Sequence, residues 1–352
     1  MIRHPHPASR LGALVLAAAA AGATGARSAG AQRPQFRERV EVQTVMLEVR
    51  VVDGRNEPLR GLVAEDFRVT VGGKPIALDS VAWEGAPDRQ SIADRLLAGE
   101  DVGTIAPPPP RLIVLFYQIG DDRSRIVGHV RMARQMDDLV DTLALDDKVA
   151  VVAFGSQLRV LLDFTDDREA LAEAIKVTAI NTDLPRPRRI GSPSLVRYLD
   201  WAAAAKATEP ETALLLTANA LEAIPGPKTL LMLGWGLGHL TRAGVVLDDD
   251  YGPARSALAR SHTTVFTLDV TDAGSHSLEV GLQQVAEDTG GTYSKTHEFP
   301  GLALDRIERA LLGHYTLTFA RPDLPDGVHP VRVELTKKHA DVLCQGSIEL
   351  RH

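Results

Sequence analysis

The chain has 352 residues, 44% hydrophobic and 24% charged, so it can build real cores and is neither disordered nor fibrous. A formal net charge of −7 argues against a broad electrostatic footprint for nucleic acid or anionic lipid. The single cysteine, Cys344, excludes an internal disulfide framework and any cysteine-based metal cluster, and 5% aromatic residues excludes extensive stacking platforms.

Residues 1–31 read as a secretory signal. Arg3 and Arg10 precede an apolar run from Leu11 to Ala21, and Ala29-Gly30-Ala31 offers small residues for cleavage. The run is shorter than the ~20 residues that span a bilayer, and no cysteine follows it to carry a lipid. Cleavage leaves an acidic protein outside the cytosol, periplasmic or secreted. Residues 36–85 then alternate in strand fashion. Val45, Leu47, Val49 and Val51 form one run, Phe67, Val69 and Val71 a second, and Ile76, Leu78, Val81 and Trp83 a third. These are too few strands to close a sandwich by themselves. Residues 86–110 read as a linker ending in Pro107-Pro108-Pro109-Pro110.

From Arg111 to residue 313 strands alternate with helices. Leu112–Phe116, Lys148–Phe154, Leu158–Leu162, Thr229–Leu233 and Thr264–Leu268 read as strands. Arg125–Leu143, a segment opened by Asp166-Asp167-Arg168-Glu169, Pro253–Arg260, Leu278–Asp288 and Leu302–Leu312 read as helices. Such alternation predicts a doubly wound, mostly parallel sheet covered on both faces. Residues 314–352 return to strand periodicity at Tyr315, Leu317 and Phe319, then at Val331, Val333 and Leu335. The two β segments are expected to pack together as a sandwich-like domain, with the α/β domain inserted between them.

Several phrases carry a family likeness. They are Glu48–Asp53 with Leu62–Phe67, Leu112–Phe116 with Asp146–Val152, Lys228–Leu233, and Val285-Ala286-Glu287-Asp288-Thr289-Gly290-Gly291-Thr292-Tyr293. In this order the chain resembles the exported bacterial proteins related to von Willebrand factor A. The resemblance implies an A-type α/β fold with a divalent cation at the C-terminal edge of the sheet. In that family Asp-x-Ser-x-Ser after the first strand supplies ligands, and a Thr and an Asp come from later loops. This sequence departs from the pattern. One register places Tyr117, Ile119 and Asp121 at the motif, and the other places Gln118, Gly120 and Asp122 there. The later strand ends Leu233-Gly234-Trp235-Gly236, where the family often has Thr-Asp-Gly. Ile190–Ser194 stands nearest the Thr position. The site is therefore read as degenerate, with no metal and no cofactor expected.

Other motifs weigh toward structure. Asp248-Asp249-Asp250 precedes a helix and reads as capping rather than as a calcium loop. Gly226-Pro227-Lys228-Thr229 lacks phosphate-loop spacing, and Phe154-Gly155-Ser156-Gln157 is no nucleophile elbow. The histidines form no His-x-x-x-His pair, and Arg186-Pro187-Arg188-Arg189 is a local basic loop. The expected function is non-enzymatic, metal-independent protein binding through loops 117–124, 183–194 and 234–250, with Tyr117, Asp121 and Trp235 as contacts. The rivals are a cation-dependent adhesion module using Asp121 and Asp122, and a hydrolase, for which no motif supplies a nucleophile and base.

Overall fold

The computed structural model describes residues 43–85, 110–120, 123–180, 192–336 and 340–351. The expected signal segment, nearly all of the expected linker, Asp121 and Asp122 lie outside them. The opening strands are β1 (Thr44–Val52), β2 (Phe67–Val71), β3 (Lys74–Ile76) and β4 (Ser80–Gly85). The α/β part contains β5 (Leu112–Gln118), α1 (Arg123–Thr142), β6 (Lys148–Phe154), β7 (Leu158–Thr165), α2 (Arg168–Ile180), α3 (Trp201–Ala204) and α4 (Pro210–Glu222). It continues through β8 (Lys228–Gly234), β9 (His239–Thr241), β10 (Gly244–Val246), α5 (Tyr251–Arg260), β11 (Thr263–Asp269), α6 (Glu279–Thr289), β12 (Tyr293–Lys295) and α7 (Pro300–Ala310). The closing strands are β13 (Gly313–Ala320), β14 (Gly327–Leu335), β15 (Asp341–Cys344) and β16 (Ser347–Leu350). Among the described residues no helix is long and apolar enough to cross a membrane.

The six-stranded sheet runs β12-β11-β8-β5-β6-β7, parallel except for β7. Numbered along the chain within this sheet, the order is 3-2-1-4-5-6, the doubly wound order whose winding reverses between β5 and β8. The exception has a local cause. Only Gly155-Ser156-Gln157 joins β6 to β7, and so short a connection permits only an antiparallel pair. Strand β5 is buried on both faces, and its side chains alternate between two cores. Val114 and Phe116 pack with Leu214 and Leu221 of α4, Leu258 of α5 and Val285 of α6. Ile113, Leu115 and Tyr117 pack with Met132 and Met136 of α1, Ile175 of α2 and Ile307 of α7.

The other two sheets are antiparallel, in the orders β15-β1-β13-β4 and β16-β14-β2-β3. Each takes strands from both ends of the chain. Their inner faces share one core of Leu47, Val49, Phe67, Val69, Tyr315, Leu317, Phe319, Val331 and Ile348. The Tyr315 hydroxyl donates to the Leu59 carbonyl at 2.9 Å and accepts from the Leu62 amide at 3.1 Å, which ties β13 to the β1–β2 connection. Cys344, on β15, is a free thiol packed against this core.

The sandwich abuts the N-terminal edge of the six-stranded sheet. Arg50, on the outer face of β1, donates to the Thr264 hydroxyl near the start of β11 at 2.9 Å. Arg260 at the end of α5 reaches Glu349 of β16 at 3.0 Å. The opposite, C-terminal edge of the parallel strands therefore lies on the far side from the sandwich.

This junction buries charge. Burial pushes the Glu48 carboxyl up to about 7, against the opposing pull of Arg50 and Lys228 and with the help of Glu84. Folding thus favours protonated Glu48. That stabilisation is complete below the ordinary value of 4.5 and is lost as pH rises through about 7. Relative to wild type, Glu48→Gln is expected to gain melting temperature steadily between pH 5 and 8, as read by calorimetry. Parallel pH profiles for the two proteins would contradict the assignment.

Candidate functional site

In doubly wound sheets, ligands bind outside the C-terminal ends of the strands, where the winding reverses. Here that place lies between Gln118, the last residue of β5, and Gly234, the last residue of β8. Gln118 is fully buried. Its Oε1 accepts from the Trp235 amide at 2.9 Å and the Gly236 amide at 3.3 Å, and its Nε2 donates to the Gly236 carbonyl at 2.8 Å. One carboxamide thus satisfies two donors and one acceptor of the loop after β8. An ionised carboxylate could accept but could not donate to Gly236.

The loop leaves no room for larger residues. A Cβ on Gly234 would lie 2.9 Å from the Gln118 Oε1. Gly236 has a φ of 147°, and a Cβ there would lie 2.4 Å from the Leu278 Cβ. Past this point the Gly238 amide donates at 2.6 Å to Glu211, whose carboxyl burial holds above its ordinary range. Among the described residues the switch point is therefore packed with backbone and the Gln118 amide.

Trp235 stands at its outer margin, half-buried and packed against the core that holds Leu233 and Tyr117. The Arg125 guanidinium, from the first turn of α1, lies 3.5 Å from the ring centroid, a cation–π contact. Exposed apolar side chains occur on the same edge. Ile126 and Val127 follow Arg125 on α1, and Leu240 and Val246 stand on the β9–β10 hairpin, Leu240 being 65% exposed. The sequence reading placed this hairpin within loop 234–250 but did not single out its apolar residues. His239-Leu240-Thr241 is too short to show a period.

Two expectations are corrected. Tyr117 is a fully buried core residue and not a surface contact. It shares its face of β5 with Ile113 and Leu115, so period-2 alternation aims it under α1. Its hydroxyl has no hydrogen-bond partner among the described residues, and burial holds its pKa above the ordinary value. Beside it His129 is likewise buried. Its Nε2 lies 2.8 Å from the Gln118 carbonyl oxygen, and burial lowers its pKa to about 4. The second correction concerns loop 183–194, of which Ser192–Ser194 is described. The Ser194 hydroxyl donates to Asp163 at 2.6 Å, and Lys148, the first residue of β6, donates to the Ser192 carbonyl at 2.6 Å. These serines lie toward the N-terminal end of the parallel strands, away from the switch point. The third expected contact, Asp121, lies outside the described residues with Asp122. Within Asp248-Asp249-Asp250, Asp250 is the N-cap residue before α5, but its carboxylate accepts from the Thr212 hydroxyl at 2.6 Å rather than from the helix backbone.

One strand further along, three side chains converge that the sequence reading did not join. Asp269 ends β11, His276 lies in the loop that follows, and Glu279 opens α6. The Asp269 Oδ2 lies 2.9 Å from the His276 Nε2, and the Tyr293 hydroxyl donates to that same oxygen at 2.8 Å. The Lys295 ammonium pairs with Glu279 at 2.9 Å.

The solved structures similar to this chain include von Willebrand factor A domains. One is a von Willebrand factor type A protein from Catenulispora acidiphila, 13% identical, covering 88% of this chain and 72% of that one with a TM-score of 0.40. Another is BatB from Bacteroides thetaiotaomicron, 15% identical, covering 57% and 97% with a TM-score of 0.38. A third is the domain of the type V pilus tip protein Mfa5 from Porphyromonas gingivalis, 12% identical, covering 57% and 95% with a TM-score of 0.37. No protein-family profile and no curated protein matches the chain.

Two substitutions test the site. Gln118→Ala strands two amides and a carbonyl in a buried place and is expected to cost about 2–4 kcal/mol in urea unfolding. A loss below ~0.5 kcal/mol would mean that the amide does not hold the loop. Tyr117→Phe removes a hydroxyl without a partner and is expected to leave the urea midpoint unchanged or raised. A lowered midpoint would reveal a bond this structure does not contain.

Proposed function

We propose that this chain is an exported, non-enzymatic module that recognises a protein partner through the C-terminal edge of its six-stranded sheet, without a cation at the switch point. The Gln118 amide carries the reading. A hard divalent ion needs several oxygen donors, preferably charged ones. Among the described residues at the ends of β5 and β8, the side-chain oxygen is that of Gln118, and it is already shared between two backbone amides. Recognition then falls to the surface around it. Trp235 under Arg125 supplies an aromatic and a guanidinium, the residue types enriched among interface anchors. Leu240, Val246, Ile126 and Val127 supply exposed apolar area on the same edge.

The export reading rests on residues 1–31. The non-enzymatic reading has support in the two close histidine–carboxylate pairs, His276 with Asp269 and His297 with Asp272. Neither ring has a serine, threonine or cysteine side chain hydrogen-bonded to it among the described residues, so neither forms a nucleophile–base pair.

Chemical cross-linking in the native envelope, followed by capture of the tagged chain, tests this. Trp235→Ala is expected to reduce the cross-linked partner about tenfold while shifting the melting temperature by only a few degrees. Unchanged capture would remove Trp235 from the interface, and collapse of the melting temperature would make it a core residue. Titration with Mg2+ separates the cation-dependent rival. No saturable heat is expected, and binding lost on changing Asp121 and Asp122 to Asn would establish that rival.

A further inference from the structure

We propose that Asp269, His276 and Glu279 form a binding site for a divalent transition-metal ion of the zinc and cobalt class, separate from the switch point. One ligand atom from each lies within 4.8 Å of the others. Donors bound to one zinc ion at about 2.0–2.2 Å stand roughly 3.5 Å apart, so small side-chain movements close the set. The donor chemistry selects the ion. One imidazole nitrogen with two carboxylate oxygens suits borderline metals, whereas magnesium and calcium take oxygen alone.

The surroundings hold these donors in place. Asp269 is nearly buried, its side chain 2% exposed. Its Oδ1 accepts from the amide and hydroxyl of Thr271 at 3.0 and 2.7 Å, leaving Oδ2 for the shared space. Such outer hydrogen bonds orient ligating carboxylates. The Tyr293 hydroxyl lies 2.8 Å from the Asp269 Oδ2 and 3.4 Å from the Glu279 Oε2, facing both acids where a further ligand would stand. Two carboxylates sharing so small a space call for a positive charge between them. The Lys295 ammonium now supplies it from one side, 2.9 Å from the Glu279 Oε2. Lys295 also donates to the Gly274 carbonyl at 2.6 Å, so it keeps a partner when an ion takes Glu279. The three donors come from a strand end, a loop and a helix start, so a bound ion would cross-link the 270–278 loop to the sheet.

The competing reading is an ion-pair network with Lys295 as its permanent cation, and Lys295→Met separates the two. The test uses the full mature chain stripped with chelator and titrated with Co2+ while visible absorption is recorded, followed by Zn2+ in calorimetry. One Co2+ per chain is expected, with ligand-field bands that Zn2+ removes and Mg2+ does not. His276→Ala and, independently, Glu279→Gln should each weaken Zn2+ about 100-fold or more. Lys295→Met should tighten it by removing the competing charge. Circular dichroism identifies any variant that fails to fold, and either ligand variant suffices. Absence of the bands in wild type overturns the proposal. So does Zn2+ binding that survives both ligand substitutions, or a Lys295→Met protein that binds no tighter.

Discussion

Three hydrogen bonds made by one buried carboxamide organise the switch point of the six-stranded sheet. Gln118 ends the central strand of a doubly wound sheet, where the winding reverses and where such sheets leave a crevice. Because an amide both donates and accepts, the uncharged Gln118 side chain joins β5 to the first turn of the loop after β8. A charged side chain there would need a counter-charge or solvent, and the close packing of Gly234 and Gly236 leaves room for neither. At the margin stand Trp235, half-buried beneath the Arg125 guanidinium, and the exposed Leu240 and Val246 of the β9–β10 hairpin.

The opposite end of the sheet is organised by burial of another kind. The sandwich built from both chain ends meets the N-terminal strand ends through Glu48, Arg50, Lys228 and Thr264. Buried charges of this sort contribute little net stability, yet they penalise wrong docking because a misplaced partner strands its neighbour. The chain thus fixes the sandwich against the N-terminal edge of the α/β sheet.

The elements most legible in the sequence are those buried on two faces or one. Leu112–Phe116 reads as a continuous apolar run, and Val149–Phe154 is nearly so, because helices cover both sides of β5 and β6. Tyr315, Leu317 and Phe319 alternate because one face of β13 meets the sandwich core and the other does not. The direction of Tyr117 was encoded in the alternation of β5 and was misread, because proximity to the strand end outweighed parity. Ser194 belongs to a loop whose path no local pattern records, and its partner Asp163 is 31 residues away. Asp269, His276 and Glu279 escaped for a similar reason. Strand, loop and helix each give a reason for their own residue, and only the return of the loop brings the three together.

The closed switch point is tested most directly by a crystal soaked in Mn2+ and measured for anomalous scattering. No anomalous peak is expected within bonding distance of Gln118 or of residues 234–236, and the carboxamide should keep its three backbone partners. A peak there, coordinated by protein oxygens with the Gln118 amide turned away, would contradict the central claim.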